Sequence, residues 1–366
     1  MFGYPCQTPF LLNEHAKGSK VIEIKRCQDA EMGAFIGMDV GGLQSLRLSE
    51  CENTRYSRHF SLSEFGREGQ LRLKAAKVLC LGAGGLGSPV AMYLAAAGVG
   101  AIGLVDPDRV ELSNLQRQLL HGESFVGKSK LESARARLAE INPHCEVVAY
   151  PERFTAENAR RIAQGYDLII DGTDNFPTRY LSNDVAYFLG IPNVYGAIQQ
   201  FEGQLAVFAP HLGGPCYRCM FPEPPEPGKV PSCAEAGVLG VLPGIIGSMQ
   251  AMEAIKLLAG VGEPPLGRLV HYDALQTRFR EFQLKRDADC ALCGKNPSVT
   301  DLIDYEGFCG LPSRNMMNSI TADELHGILA DQPDAKVIDV RTPEEWQEKH
   351  LPTALHIPMQ DIPARL

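Results

Sequence analysis

The sequence predicts an α/β protein organised around an open, mostly parallel sheet. A short apolar run, Val78–Leu81, leads directly into a glycine-rich turn and an alanine-rich helical run that stops at Gly98. A second apolar run, Ile102–Val105, ends in Asp106, and a third ends in Asp171. Continuous apolar strands that alternate with helices are typical of parallel sheets with both faces covered.

The length, composition and charge limit the classes to which the protein can belong. With 366 residues, 45% hydrophobic and 22% charged, the chain is an ordinary globular protein with room for two or three domains. Its net charge of −9 argues against a nucleic-acid partner. No apolar segment approaches the roughly 20 residues that cross a bilayer, and residues 1–12 lack the pattern of a signal peptide. We expect a cytoplasmic protein that binds neither nucleic acid nor a membrane.

The first part of the chain carries little pattern. Residues 1–42 show no helical or strand periodicity, so we predict a disordered extension and assign it no function. Residues 43–76 are polar and predicted to be helical in pieces. Arg55 and Arg58 are three positions apart and therefore share one helix face, and this spacing alone favours a solvated surface.

The glycine turn predicts a nucleotide site. Gly82, Gly84 and Gly85 let the backbone approach a polyphosphate, and the helix that follows points free N–H groups at it. Asp106 lies nineteen positions beyond Gly87, at the end of the next strand, where a carboxylate can bind ribose hydroxyls. The pattern does not say which nucleotide binds.

Further polar residues follow the same strand. Asp108 and the segment Ser113–Gln118 come directly after its carboxyl end, where ligands bind in open α/β sheets. Lys130 opens the next helix, where a cation opposes the helix dipole unless an anion lies nearby. A surface lysine is the alternative interpretation.

A second polar loop follows the strand that ends in Asp171. Asp171, Asp174 and Asn175 offer oxygen ligands for Mg²⁺ beside a triphosphate. They are equally suited to cap the predicted helix Phe176–Leu189. Short strand-like runs beyond that helix predict that antiparallel strands extend the sheet.

Two CxxC pairs predict a structural zinc site, because four thiolates fill a tetrahedral shell and leave no position for catalytic water. The four cysteines are Cys216, Cys219, Cys290 and Cys293. Cys233 belongs to neither pair and follows a proline-rich loop. It is either an exposed nucleophile or an inert cysteine, and the sequence leaves both open.

The composition turns to linker over residues 296–317, and a new α/β pattern occupies residues 318–366. Thr321 and Glu324 form a predicted capping box at the start of a helix. Lys336–Arg341 is a predicted strand, followed by a helix that begins near Thr342. These patterned residues are too few for a complete domain.

Together these motifs resemble a known family. The run from Arg55 to Cys293 is similar to the MoeB/ThiF branch of the E1-like activating enzymes, in particular the MoeB-type molybdopterin-synthase adenylyltransferases. The resemblance implies a Rossmann-like adenylation domain over residues 43–295. Residues 318–366 resemble the first half of a rhodanese domain, which is the arrangement of MoeB–rhodanese fusions.

The resemblance implies an activity. Such enzymes use ATP to adenylate the C-terminal glycine of a small ubiquitin-like sulfur carrier of the MoaD or ThiS type, and pyrophosphate leaves. By similarity, Gly82, Gly84 and Gly85 hold the phosphates and Asp106 holds the ribose. The triphosphate is expected to be lined by Ser113, Asn114, Gln116, Arg117 and Lys130.

The family also implies further roles. Asp174 is the expected Mg²⁺ ligand beside Asn175, and the four CxxC cysteines are expected to bind zinc. Arg58 corresponds to an arginine that reaches the ATP site of the other subunit, which implies a homodimer and replaces the surface interpretation. Cys233 aligns with a cysteine that links covalently to the carrier in some members. The sulfur donor is expected to be a protein such as a cysteine desulfurase.

The sequence also departs from the family. The rhodanese cysteine is expected beyond the last residue of this sequence, so we expect no persulfide-forming activity from the chain as given. Two other hypotheses about the function compete with this one: an NAD-dependent oxidoreductase and a non-catalytic zinc scaffold. The pathway that the carrier serves, molybdenum cofactor, thiamin or another thiolation, stays open.

Overall fold

One open sheet organises the part of the chain that the structure describes, which is residues 45–226, 229, 237–311, 321–332 and 334–362 of a computed structural model. Its strands are β1 (Lys77–Leu81), β2 (Ala101–Val105), β3 (Glu146–Tyr150), β4 (Leu168–Asp171), β5 (Asn193–Gln199), β6 (Glu202–Phe208), β7 (Arg268–Asp273) and β8 (Arg278–Gln283). They are ordered β3-β2-β1-β4-β5-β6-β7-β8. Strands β1 to β5 pair in parallel and β6 to β8 extend the sheet antiparallel, as the sequence predicted.

Helices cover both faces of the parallel strands. In chain order they are α1 (Glu50–Arg55), α2 (Ser57–Phe60), α3 (Gly66–Ala75), α4 (Gly87–Ala97), α5 (Lys130–Ile141), α6 (Ala159–Ala163), α7 (Phe176–Leu189), α8 (Tyr217–Met220), α9 (Val241–Ala259) and α10 (Tyr305–Phe308). Helices α3, α4, α5 and α9 pack on one face, and α6, α7 and α10 pack on the other.

Strand β1 shows why the apolar runs become buried strands. Val78 and Cys80 point into one core and Leu79 and Leu81 into the other, so alternate residues fill opposite faces. Strands β1 to β3 follow one another in one direction along the sheet and β4 and β5 in the other, so the strand order reverses at the β1–β4 pair. Such a reversal opens a crevice at the carboxyl ends of the strands, which is where open α/β sheets bind ligands.

Helix α9 differs from the expectation that no apolar segment approaches membrane length. Its 19 residues are long and apolar enough to span a bilayer by length and composition, and half of the segment is buried inside the protein. It packs against α4, α3, β5 and β6. These contacts identify it as a core helix.

Several elements were not predicted. The sequence analysis did not identify β3 or α6, and α10 lies within the predicted linker, packed against α7. Helix α7 begins and ends where it was predicted, and Gly98 ends α4 in a left-handed conformation with φ 88°.

The C-terminal residues form short elements of their own. They are α11 (Ala322–Asp331), β9 (Ile338–Asp339), α12 (Pro343–Glu348) and β10 (Leu355–His356). The predicted capping box at Thr321 and Glu324 is present, and β9 is shorter than the predicted strand Lys336–Arg341. Residues 1–42 and Cys233 lie outside the described residues.

Gln250 joins α9 to the sheet and gives a test of this packing. Its side-chain amide donates to the carbonyl oxygens of Asp171, at 2.8 Å, and Val194, at 3.1 Å, and the residue is fully buried. We expect Gln250→Ala to lower the free energy of unfolding by about 2 kcal/mol, because it removes two buried hydrogen bonds. Urea denaturation measures this. The exposed Gln164→Ala is the control, and equal losses for both variants would contradict the assignment.

Candidate active site

A cleft of about 1060 Å³ lies at the carboxyl ends of β1, β2 and β4. It brings together most of the residues that the sequence predicted for a nucleotide site. Those that line it are Gly82, Gly84, Gly85, Asp106, Arg117, Lys130, Asp174 and Asn175. Segments distant in sequence therefore meet at one sheet edge, as the parallel topology requires.

The glycine turn places bare backbone along the cleft. Gly82 has φ 93°, a left-handed conformation that favours glycine. A side chain at Gly87 would overlap the Gly82 carbonyl, so the first turn of α4 can approach β1 only with glycine there. Gly84 lies on the open side, and Gln118 is its nearest neighbour. This loop at a helix N-terminus suits a phosphate group.

Asp106 is fixed by the backbone on both sides. One carboxylate oxygen accepts from the Ala83 N–H at 2.9 Å, and the other accepts from the Asp108 N–H at 2.9 Å. The residue is only 5% exposed. Asp106 therefore ties the glycine loop to the end of β2 and presents its remaining lone pairs beside that loop.

Lys130 is a buried cation in the same cleft. Its Nζ lies 2.9 Å from an oxygen of Asp108 and 3.7 Å from an oxygen of Asp106, and the residue is 6% exposed. These carboxylates supply the anion that the sequence led us to expect near the start of α5. Asp108 is largely exposed, and both Asp108 and Lys130 line the cleft.

Arg117 and Gln118 complete this side of the cleft. Arg117 donates to the Ser113 carbonyl at 3.0 Å, and its Cδ lies next to Gly85. Gln118 is 6% exposed, and its side-chain carbonyl has no hydrogen-bond partner among the described residues. The bare glycine backbone beside the cations Arg117 and Lys130 fits a polyanionic ligand such as the triphosphate of ATP.

The three polar residues at the carboxyl end of β4 and in the loop after it have separate roles. Asp171 is buried and accepts from the Thr173 N–H, the Thr173 hydroxyl and the Ser182 hydroxyl, so it is a structural residue. Asn175 caps α7 by accepting from the Thr178 N–H at 3.0 Å. The exposed Asp174 carboxylate lines the cleft and makes no hydrogen bond or ion pair with the described residues. Of the three, Asp174 suits a Mg²⁺ ligand.

Other predicted residues lie elsewhere. The cleft is lined by Arg117 but not by its neighbours in sequence Ser113, Asn114 and Gln116. Asn114 is buried, whereas Ser113 and Gln116 are exposed. Arg58 is exposed on α2 and does not line the cleft of its own chain.

His121 is a supporting residue that the sequence analysis missed. Its Nε2 lies 2.9 Å from the Ala83 carbonyl, in the glycine loop, and the residue is 8% exposed. Burial lowers the pKa of His121 below its usual value of 6.5, although the Ala83 contact opposes the shift. The neutral ring with a proton on Nε2 is therefore the form that supports the loop.

The four CxxC cysteines form one cluster, with sulfur atoms that all lie within 4.8 Å of one another. The pairs Cys216–Cys219, Cys216–Cys290 and Cys219–Cys293 are separated by 3.8, 3.5 and 3.4 Å. A tetrahedron with Zn–S bonds of about 2.3 Å has sulfur–sulfur edges of about 3.8 Å. The geometry and the all-thiolate donor set fit a structural zinc ion.

The lowered pKa of His121 predicts a pH dependence. Below the ordinary pKa of 6.5 the unfolded chain binds a proton that the folded chain resists, so the free energy of unfolding falls with falling pH. His121→Gln keeps a donor for the Ala83 carbonyl and removes the titration. We expect wild type to lose up to about 1.4 kcal/mol per pH unit more than this variant. Urea denaturation over a pH series measures the difference, and parallel pH profiles would contradict it.

Comparisons with known proteins agree with this geometry. Residues 56–292 match the ThiF family, and residues 321–366 match the rhodanese-like domain. The chain is 54% identical over 270 residues to a sulfur carrier protein adenylyltransferase of Thermus thermophilus, which covers 73% of this chain and 100% of that protein. It is 48% identical to the probable adenylyltransferase/sulfurtransferase MoeZ of Mycobacterium tuberculosis, which covers 85% of this chain and 80% of that protein.

A further relative and two solved structures extend the comparison. The adenylyltransferase and sulfurtransferase MOCS3 of Culex quinquefasciatus is 45% identical, over 86% of this chain and 74% of that protein. E. coli MccB with AMPCPP and MccA has a TM-score of 0.60 at 24% identity, over 70% of this chain and 77% of that chain. E. coli MccB with ATP has a TM-score of 0.58 at 24% identity, over 67% and 75%. These structures show the shared fold.

The match over residues 56–292 spans more than half of the chain. The chain therefore belongs to the ThiF family of adenylyltransferases, with a rhodanese-like segment at its C-terminal end.

Proposed function

We propose that this enzyme uses ATP to adenylate the C-terminal glycine of a small ubiquitin-like, MoaD-like sulfur carrier for molybdenum-cofactor biosynthesis. The observation that carries the proposal is the convergence of Arg117, Lys130 and Asp174 on one cleft with the glycine loop and Asp106. An NAD-dependent oxidoreductase needs the loop and Asp106 but not the other three residues. A non-catalytic scaffold needs none of them.

The residues suit the chemistry. A carboxylate oxygen of the carrier's C-terminus attacks the α-phosphorus of ATP, the bond from that phosphorus to the bridging oxygen breaks, and pyrophosphate leaves with the electron pair. The product is an acyl-adenylate that a sulfur nucleophile can attack. Two anions must be brought together, so the enzyme's main task is to neutralise charge and hold the groups in line. Lys130 and Arg117 provide two positive charges at the glycine loop.

The metals have separate roles in this proposal. Asp174 would hold Mg²⁺, which offsets phosphate charge when bound. Zinc in the cysteine cluster would hold the chain after β8 against α8, and none of the four cysteines lines the cleft. No open ligand position is needed for that role.

The carrier is named by analogy. The relatives are called a sulfur carrier protein adenylyltransferase, MoeZ and MOCS3, and one of the MccB structures contains MccA. A MoaD-like carrier is our first choice, and a ThiS-like carrier is the alternative. A cysteine desulfurase is a suitable sulfur donor, and we place the enzyme in the cytoplasm as a homodimer.

Pyrophosphate exchange tests the activity and the metal assignment. With ATP, Mg²⁺ and a MoaD-like carrier, we expect wild type to exchange labelled pyrophosphate into ATP. We expect Asp174→Ala to lower that rate by at least about a hundredfold because a metal-binding carboxylate is lost. Asp331→Ala, on exposed α11, is the control. Exchange with a ThiS-like carrier alone would assign the enzyme to thiamin biosynthesis or another thiolation pathway. No exchange with either carrier would contradict the proposal.

Mixed dimers test the role of Arg58. If Arg58 acts in the partner's cleft, Arg58→Ala and Asp174→Ala chains together form one intact site per heterodimer. Random mixing of two individually inactive variants should then restore about a quarter of wild-type exchange, because half of the dimers are mixed and each has one working site. Mixing after unfolding and refolding with zinc gives the measurement. A mixture as inactive as either parent would place Arg58 in the site of its own chain, and an active Arg58→Ala parent would place it outside the reaction.

A further inference from the structure

One wall of the cleft comes from a segment that the sequence analysis took for linker. Residues 302–311 follow the second CxxC pair and contain α10. Six of them line the cleft: Leu302, Ile303, Asp304, Tyr305, Glu306 and Leu311. The loop after β3, residues 152–157, lines the same cleft.

Tyr305 anchors this segment to the core. Its hydroxyl donates to an oxygen of Asp184 at 2.9 Å, and Tyr305 is 4% exposed. Asp184 is fully buried on α7 and is paired with the Arg218 guanidinium at 2.8 and 3.0 Å. A buried carboxylate with these partners fixes the position of the ring that bonds to it.

Aromatic contacts reinforce the anchor. Phe308 meets Tyr180 edge to face with ring centres 5.1 Å apart. The Arg218 guanidinium lies 4.8 Å from the centre of the Phe308 ring and 5.0 Å from that of Tyr180. Because Arg218 lies between Cys216 and Cys219, the cysteine cluster and the cleft wall share one buried arginine.

The position of the wall indicates which part of a nucleotide it meets. Strands β1, β2 and β3 are adjacent and parallel, so the glycine loop, Asp106 and residues 152–157 follow one another along the sheet edge. Phosphates at the glycine loop and a ribose at Asp106 direct the base toward the loop after β3. Phe154, Ala156, Leu302 and Ile303 all line the cleft, and each packs against the core on that face of the sheet.

We propose that residues 302–311 form the outer wall of the pocket for the nucleotide's flat base, and that Tyr305 is the residue that positions this wall. The proposal rests on the proposed use of ATP. Apolar side chains from both segments suit an aromatic base, whereas Arg117 and Lys130 lie by the glycine loop. Nothing in this wall acts on the phosphates.

The test compares a ligand that has a base with one that lacks it. Titration calorimetry on the zinc-loaded full chain, with Mg²⁺, measures binding of ATP and of inorganic tripolyphosphate. We expect Tyr305→Phe and Leu311→Ala each to weaken ATP binding about fivefold, the effect of one hydrogen bond or one apolar contact. Tripolyphosphate binding and zinc content should be unchanged.

The control is Leu351→Ala, because Leu351 is 45% exposed and Leu311 is 44% exposed, and Leu351 lies outside the cleft. Leu311 is at the surface, so its variant separates a role in binding from a loss of folding. The proposal would be overturned if the variants bound ATP and tripolyphosphate equally more weakly, or if both variants bound ATP as tightly as wild type. Either result would leave the proposed function intact. A wild-type chain that does not bind ATP at all would contradict both.

Discussion

The rest of the site depends on the Asp106 carboxylate and the two backbone N–H groups that it accepts. One bond ties it to Ala83 in the glycine loop after β1, and the other ties it to Asp108 after β2. Two neighbouring strand ends are thereby locked to each other, and Lys130 is held beside them. A flexible glycine loop becomes a fixed surface, so little conformational entropy remains to be lost when a polyphosphate binds.

The opposite side of the cleft is built by the same means. Asp171 holds Thr173 and Ser182 with its side chain, and its carbonyl accepts from Gln250 of α9. The loop that carries Asp174 is thus fixed at its base while its carboxylate stays exposed. Buried polar groups thus position the exposed Asp174 carboxylate in the same cleft as Arg117 and Lys130.

Local patterns account for the parts of the fold and site that the sequence predicted. The glycine loop, Asp106 and α7 are short-range signals, since strand, turn and cap follow one another. Strand β3 was missed because it is the edge strand and only partly buried, and a run of four apolar residues alone does not distinguish a strand from a helical segment. His121 and Tyr305 were missed because their partners are 38 and 121 positions away, and no spacing rule reports such contacts.

The central claim is that a carrier's carboxylate attacks the α-phosphorus of ATP held in this cleft. The most direct measurement uses a carrier with ¹⁸O in its C-terminal carboxylate, with hydroxylamine added to trap the acyl group. Attack on the α-phosphorus makes a labelled oxygen the bridge to AMP, so the AMP released by hydroxylamine should carry ¹⁸O. Label in inorganic phosphate, or unlabelled AMP, would contradict the account.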